Sequence, residues 1–457
     1  MTNRILRSHE VTETLSSFVK NCQWTDIPEH ARHEAKRSIL NFFAVALAAC
    51  SDPTIEKAVK TYLAFSANST ATLIGRPERT DILNAAALNA MSANVFDFDD
   101  THIPTIIHPT STVAPVLFAM AEQQPMTGTE LLLAFILGVE VECRVGNAVS
   151  PGHYSRGWHI TSTCGVFGSA AAAAKIMGLS ARQITWAMGS ASAQAGGLVE
   201  TLGTMSKSVS VGNAARNGLL STLLAINDFD GPAHPLEGER GFLHVTAEQP
   251  DIEKLISGLG QTWEVNCNTY KPYPCGVVLN PVIEACLRLT KDNALVETGF
   301  EHIQRIELTG HPLLRQRTDR PNIKTGRESQ VSAQHAVAVS LFRGRAGMDE
   351  FSDSAVNEPA LRSLGARVVF ADDPSMPVEA ARVGIYFDHL PNPLVMQIDQ
   401  SKGSLANPMS DADIEDKLRT LCEQGGAGCS SQQIIETVWS LDTIKDVSAL
   451  MALVVRH

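Results

Sequence analysis

The chain has 457 residues, 44% of them hydrophobic and 19% charged. This is an ordinary globular composition, in a chain too long for one hydrophobic core, so two domains are expected. The net charge of −12, with no Lys/Arg-rich run, argues against a nucleic-acid surface. Nine irregularly spaced cysteines without a C-x-x-C argue against a disulfide framework, a zinc ribbon or an iron–sulfur cluster.

The first twenty residues are polar and read as an amphipathic helix, not as a signal peptide. Apolar residues recur at helical spacing around 12–22, 28–50, 53–66, 81–96 and 111–123. The most apolar runs, 39–50 and 131–141, are too short to span a bilayer, so a cytoplasmic protein with no membrane partner is expected. Thr127-Gly-Thr-Glu130 and Ser180-Ala-Arg-Gln183 have the spacing of capping boxes that open helices. Between them 165–177 is an Ala-rich run suited to a buried helix, and 213–227 is a further small-residue helix. Near residue 266 the pattern changes. Segments 304–309, 367–371 and 382–387 are rich in β-formers, with helical patterns at 281–290 and 330–342. Helical spacing returns at 411–422 and 430–441.

The expected fold is therefore mainly α. A large all-helical domain is built from both chain ends, residues 1–265 and 405–457, and a smaller α+β domain over 266–404 is inserted in it.

Four clusters could carry chemistry. Asp97-Phe-Asp-Asp-Thr-His102, followed by His108-Pro-Thr-Ser111, falls on a connecting loop, where catalytic groups concentrate. Its carboxylates and histidines could act as acid and base, as metal ligands, or only as helix caps. Metal binding through Asp99, Asp100 and His102, as in a hydrolase, lacks a supporting second His array downstream. Arg156-Gly-Trp-His159 precedes a helix start, where the dipole favours a neutral imidazole and free N–H groups can hold a carboxylate. Gly203-Thr-Met-Ser-Lys207 reads as a lysine on a Gly-bounded loop, able to counter a carboxylate or face solvent. Tyr270-Lys-Pro-Tyr-Pro-Cys275 presents Lys271 on a backbone stiffened by proline. A non-catalytic helical scaffold is the alternative of a different class; it requires no such series of His and Lys motifs.

In order, D-x-D-D-T…H-P-x-S, G-W-H, G-T-M-x-K…G-x-A-A-R-x-G, E-G-x-x-G-F (Glu237–Phe242) and K-P-Y-P resemble the MmgE/PrpD family, over about residues 10 to 440. The resemblance implies a helical domain with a smaller α+β lid, a homodimer, and catalysis without metal or organic cofactor. It implies a lyase for a small polycarboxylate, of the 2-methylcitrate dehydratase or cis-aconitate decarboxylase kind. An epimerase of a dicarboxylate such as iminodisuccinate is the alternative, using the same acid/base pair. It implies His108, His159, Lys207 and Asp97 as catalytic residues, with Thr101, Lys271 and His335 binding substrate and no metal ligands. Two departures stand out. Ser332-Ala-Gln-His335 has His where decarboxylase-like members carry Tyr, and Lys207-Ser-Val-Ser-Val-Gly212 has Ser210 where many relatives carry His. The longer loop that one branch of the family has before its H-P-S motif is also missing.

Overall fold

The computed structural model describes residues 10–291 and 299–456; the leading part of the expected N-terminal helix, residues 1–9, lies outside them. The chain forms two compact units. The first runs to Val95, resumes over Asp99–Asn268 and again from Asp411; the second comprises Phe96–Phe98 and Thr269–Ser410. The protein is mainly α.

In the first unit the helices are α1 (Val11–Asn21), α2 (Glu29–Ala49), α3 (Pro53–Leu63), α4 (Ile82–Asn94), α5 (Pro109–Ala121), α6 (Gly128–Val149), α7 (Gly152–Ser155), α8 (Ile160–Ile176), α9 (Ala181–Ser192) and α10 (Ser206–Ile226). The short helix Phe242–Thr246 follows, and after the second unit the chain returns to the first with Asp411–Gly425, Ser431–Trp439 and Ser448–Ala452. Both expected capping boxes form: Thr127 Oγ1 accepts from Glu130 N and Glu130 Oε2 from Thr127 N, and Ser180 and Gln183 do the same. Each satisfies N–H groups that the first turn leaves without a helical partner.

The middle of this unit is built from helices with no polar face. Every residue of α5 is buried, as is α8 from Ile160 to Ala174, the pattern of helices packed on all sides. α8 packs against α5, α6 and α10. The crossings are closed by residues without side chains. A Cβ on Gly165 would lie 2.5 Å from Thr112 Cγ2, and one on Gly218 would lie 2.4 Å from Ser169 Cβ. The abundance of Ala and Gly in these runs is thus a packing requirement.

The second unit holds a four-stranded sheet, with β1 (Ile303–Gly310), β2 (Val368–Asp372), β3 (Ala381–Phe387) and β4 (Leu394–Ile398) in the order β2-β1-β3-β4. β1 is parallel to β2 and antiparallel to β3, and β4 is antiparallel to β3. The buried face of the sheet and the helices Asn280–Leu289 and Ala333–Arg343 share one apolar core. Three of the strands coincide with the expected segments. β4 was not expected; it is a short edge strand with alternating exposure, a weak pattern in sequence. Among the described residues no single helix is long and apolar enough to cross a membrane.

Candidate active site

The acidic loop is a connection between α4 and α5, and within the first unit Asp99 ties side chains of the two helices together while Asp100 reaches a first-turn N–H of α5. Asp99 Oδ2 accepts from Asn94 Nδ2 and Ser111 Oγ, each at 2.6 Å. Asp100 Oδ2 accepts from Thr110 N at 3.3 Å, from the Thr110 hydroxyl and from Asn268 Nδ2. His102 holds the loop from its other side, with Nε2 2.8 Å from Glu264 Oε2 and Nδ1 2.8 Å from Thr105 Oγ1.

This scaffold presents His108, the N-cap residue of α5, which is buried and not a surface histidine. Its Nδ1 lies 2.6 Å from the carbonyl oxygen of Asp100 and 3.3 Å from Thr101 Oγ1. A carbonyl oxygen can only accept, so Nδ1 carries the hydrogen and the neutral ring keeps its lone pair at Nε2.

His159 stands at the corresponding place on α8, as its N-cap residue. The two helix starts are joined: His108 N donates to Thr161 Oγ1 at 3.2 Å, Thr161 being in the first turn of α8. His159 Nδ1 lies 2.6 Å from Ser162 Oγ, which lies 3.1 Å from Ser210 Oγ; Ser210 in turn donates to the Lys207 carbonyl at 2.8 Å. Unlike a carbonyl, a serine hydroxyl can donate to Nδ1 or accept from it. The two histidines are therefore held by different rules. Gly197 passes directly against this group, with a φ of +137° and a Cβ position only 2.3 Å from Ser162 Oγ, so no side chain fits there. Beside it Ser162, Gln194, Ser206, Ser210, Asn213 and Asn217 line a cavity of about 300 Å³.

Lys207 differs from expectation. The helix expected from residue 213 begins at Ser206, so Lys207 lies in the first turn of α10 and is buried, not on a loop. Behind α5 lie two fully buried acids. Burial pushes the Asp100 carboxyl up to about 7, against the hydrogen bonds from Thr110 and Asn268 that favour its charged form. Burial likewise raises Glu142 well above the carboxylate range, although Thr112 Oγ1 donates to its Oε2 at 2.8 Å. Glu237, from the E-G-x-x-G-F motif, is a structural tie that accepts from Thr12 N at 3.1 Å.

The second unit contains Asp97, Lys271 and His335. Asp97 has a φ of +52°, a left-handed conformation that Asp tolerates better than most residues. Lys271 is buried and donates from Nζ to the Asp97 carbonyl at 2.8 Å, with Asp97 Oδ1 at 3.4 Å. Gln330 Nε2 donates to the Phe96 carbonyl at 2.7 Å and pins the same segment. His335 is buried and donates from Nε2 to the Glu350 carbonyl at 2.7 Å; burial lowers its pKa, so its ring is neutral, with Nδ1 remaining as an acceptor.

Within the first unit, then, the structure brings His108 together with Thr101, and links His159 through Ser162 and Ser210 to the backbone carbonyl of Lys207. Within the second it brings Lys271 to Asp97 and places His335 on a separate helix. Sequence reasoning did not single out Thr161 and Ser162. The position of Ser162, three residues after an N-cap histidine, was the available signal.

The MmgE/PrpD N-terminal domain model matches residues 13–255, and the MmgE/PrpD C-terminal domain model matches residues 273–443. The chain is 27% identical to the cis-aconitate decarboxylase of Mus musculus, covering 97% of this chain and 93% of that protein. It is 28% identical to a cis-aconitate decarboxylase-like protein of Aspergillus oryzae, over 97% of each. The cis-aconitate decarboxylase of Aspergillus terreus is 27% identical over 97% of this chain and 95% of its own length.

Proposed function

The chain belongs to the MmgE/PrpD family, and from that premise we propose that it is a cofactor-independent lyase acting beside a carboxylate of a small C4–C6 polycarboxylic acid. Decarboxylation of a substrate like cis-aconitate is the leading reaction, because the relatives that align over nearly the whole chain bear that name; dehydration is the other form of elimination within the proposal. The observation that carries the reading is the pairing of two N-cap histidines on joined helix starts.

Loss of CO₂ leaves an electron pair on carbon beside a remaining carboxylate. That state needs positive potential aimed at the developing charge, and a proton to end the reaction. The starts of α5 and α8, with Lys207, supply the potential. His159 is assigned as acid through Nε2 of its imidazolium form, with Nδ1–H donating to Ser162, whose own hydrogen goes to Ser210. His108 is assigned as base, since the Asp100 carbonyl fixes its lone pair on Nε2. Thr101 is assigned to hold substrate through its hydroxyl, and Lys271, with Asp97 as its orienting partner, to bind a carboxylate. His335 has the weaker assignment: its acceptor Nδ1 suits a substrate hydroxyl or a protonated carboxyl better than an anion. In this reading the smaller unit serves as a lid, and the enzyme works as a cytoplasmic homodimer.

The test is an NMR assay in deuterated buffer with cis-aconitate, citrate, 2-methylcitrate and an amino-dicarboxylate. The expected result is loss of CO₂ with one deuterium placed on carbon, or loss of water with one carbon-bound hydrogen passed to the solvent. His159→Ala and Lys207→Ala, each folded, are expected to lose activity, and wild-type turnover in both would refute the site. Deuterium exchange without any leaving group would replace the lyase with an epimerase.

A further inference from the structure

The sheet of the second unit brings together three metal-ligating side chains that the proposed chemistry does not use. His302 ends the short turn before β1, and Asp388 and His389 follow directly after β3. Antiparallel pairing sets them side by side: Ile303 is in register with Phe387, and Asp388 N donates to the His302 carbonyl at 3.0 Å. The Asp388 carboxylate receives both rings. His389 Nδ1 lies 2.6 Å from Oδ1 and His302 Nδ1 lies 3.3 Å from Oδ2. The two ring centroids are 4.7 Å apart, and one potential ligand atom from each of the three residues lies within 4.8 Å of the others.

We propose that His302, Asp388 and His389 form a binding site for a divalent transition-metal ion of the zinc class. Two imidazoles and one carboxylate select such an ion over calcium or magnesium, which prefer all-oxygen ligands. Backbone pairing sets His302 beside Asp388, and the Asp388 carboxylate holds the His389 ring, before the ion arrives, which lowers the ordering cost of binding. The side chains are about half exposed, at 46%, 46% and 47% for His302, Asp388 and His389, so water can complete the coordination sphere. The ion takes the place of the hydrogens through which the imidazoles now bond to Asp388: a neutral ring carries its hydrogen on Nε2 instead, and only an imidazolium releases a proton. The site ties the start of β1 to the end of β3.

Another His-containing cluster among the described residues, His102 with Glu264 and Cys267, is the control. It is more buried, and its His102 and Glu264 bond to each other and to Thr105 and Asn147.

The experiment is calorimetric titration of the untagged full-length protein with Zn²⁺. A parallel titration with Co²⁺ is followed by absorption. One equivalent is expected to bind, and His302→Ala and His389→Ala are each expected to weaken it by about tenfold or more. The cobalt complex is expected to show visible bands without a thiolate charge-transfer band. Because the three side chains are exposed, circular dichroism melts of the variants should match the wild type and separate lost binding from lost folding. The proposal is overturned if both variants bind as the wild type does. It is also overturned if binding disappears in Cys267→Ser with a thiolate band in the parent, or if no zinc binds. None of these outcomes depends on the lyase reading, since no substrate is used.

Discussion

Asp100→Asn isolates the electrostatic cost of the acid beneath the α5 start. The folded carboxyl stands at about 7, against an ordinary 3.8, which corresponds to about 4 kcal/mol between the charged and neutral forms. For an acid raised in the folded state, the unfolded chain releases its proton first. Stability is therefore highest near the unfolded value and falls as pH rises from about 4 to about 7, levelling above the folded value. Asparagine has no such titration, and its amide oxygen can take the hydrogen bonds from Thr110 and Asn268, while the other carboxylate oxygen has no partner to lose. The expectation is a variant close to the wild type near pH 4 and more stable above pH 7. The difference is about 4 kcal/mol, reduced by whatever water penetration and relaxation the ionised side chain gains. Urea denaturation of both proteins across about pH 4 to 8 measures it. A difference that does not change with pH, or an asparagine variant less stable at every pH, would show that the hydrogen bonds hold Asp100 ionised and would refute the reasoning.

Ser162→Ala removes the hydroxyl at Nδ1 of His159 and is expected to lower kcat about five- to tenfold, the worth of one hydrogen bond. KM should change little, and steady-state kinetics separates the two. Arg144→Ala is expected to cost about 3–5 kcal/mol in denaturant unfolding. It leaves buried Glu140 without its partner at 2.6 Å and strips carbonyls such as that of Ser257, at 2.8 Å, of their donor. Gly165→Ala places a Cβ 2.5 Å from Thr112 Cγ2 and is expected to cost about 1–3 kcal/mol. Because it forces α5 from α8, its kcat should also fall; thermal melts with activity assays check both.

Features written in local chemistry were legible in the sequence. Thr127 and Glu130, or Ser180 and Gln183, satisfy helix N–H groups through contacts three residues apart, so spacing alone identifies them. β1 and β3 carry runs of β-formers long enough to stand out, whereas the five residues of β4 do not. The start of α10 was misplaced because Ser206–Val211 has no helical apolar periodicity. The surroundings of Lys207 and Ser208, both buried, come from packing against other helices, which periodicity cannot express. The site was legible as residue types and illegible as geometry. Nothing in His108 or His159 indicates that one will meet a carbonyl and the other a hydroxyl, because Asp100 contributes its backbone and Ser162 its side chain.

The small residues and the buried acids belong to one electrostatic design. Glycines at the crossings let α8 approach α5 closely enough for His108 N to reach Thr161 Oγ1, which sets two positive helix ends side by side. An ionised Asp100 or Glu142 behind them would oppose that potential, and a chain with a net charge of −12 has little spare positive charge to offset it. Burial raises both acids, Asp100 to about 7 and Glu142 well above the carboxylate range, and so favours their protonated forms. In those forms they serve as neutral hydrogen-bonding groups, and the field at the two N-caps remains available to an anionic substrate. On this argument Asp100→Asn should leave substrate affinity nearly unchanged at neutral pH. A basic shift in pH should weaken the affinity of the wild type more than that of the variant, as its Asp100 ionises behind the site.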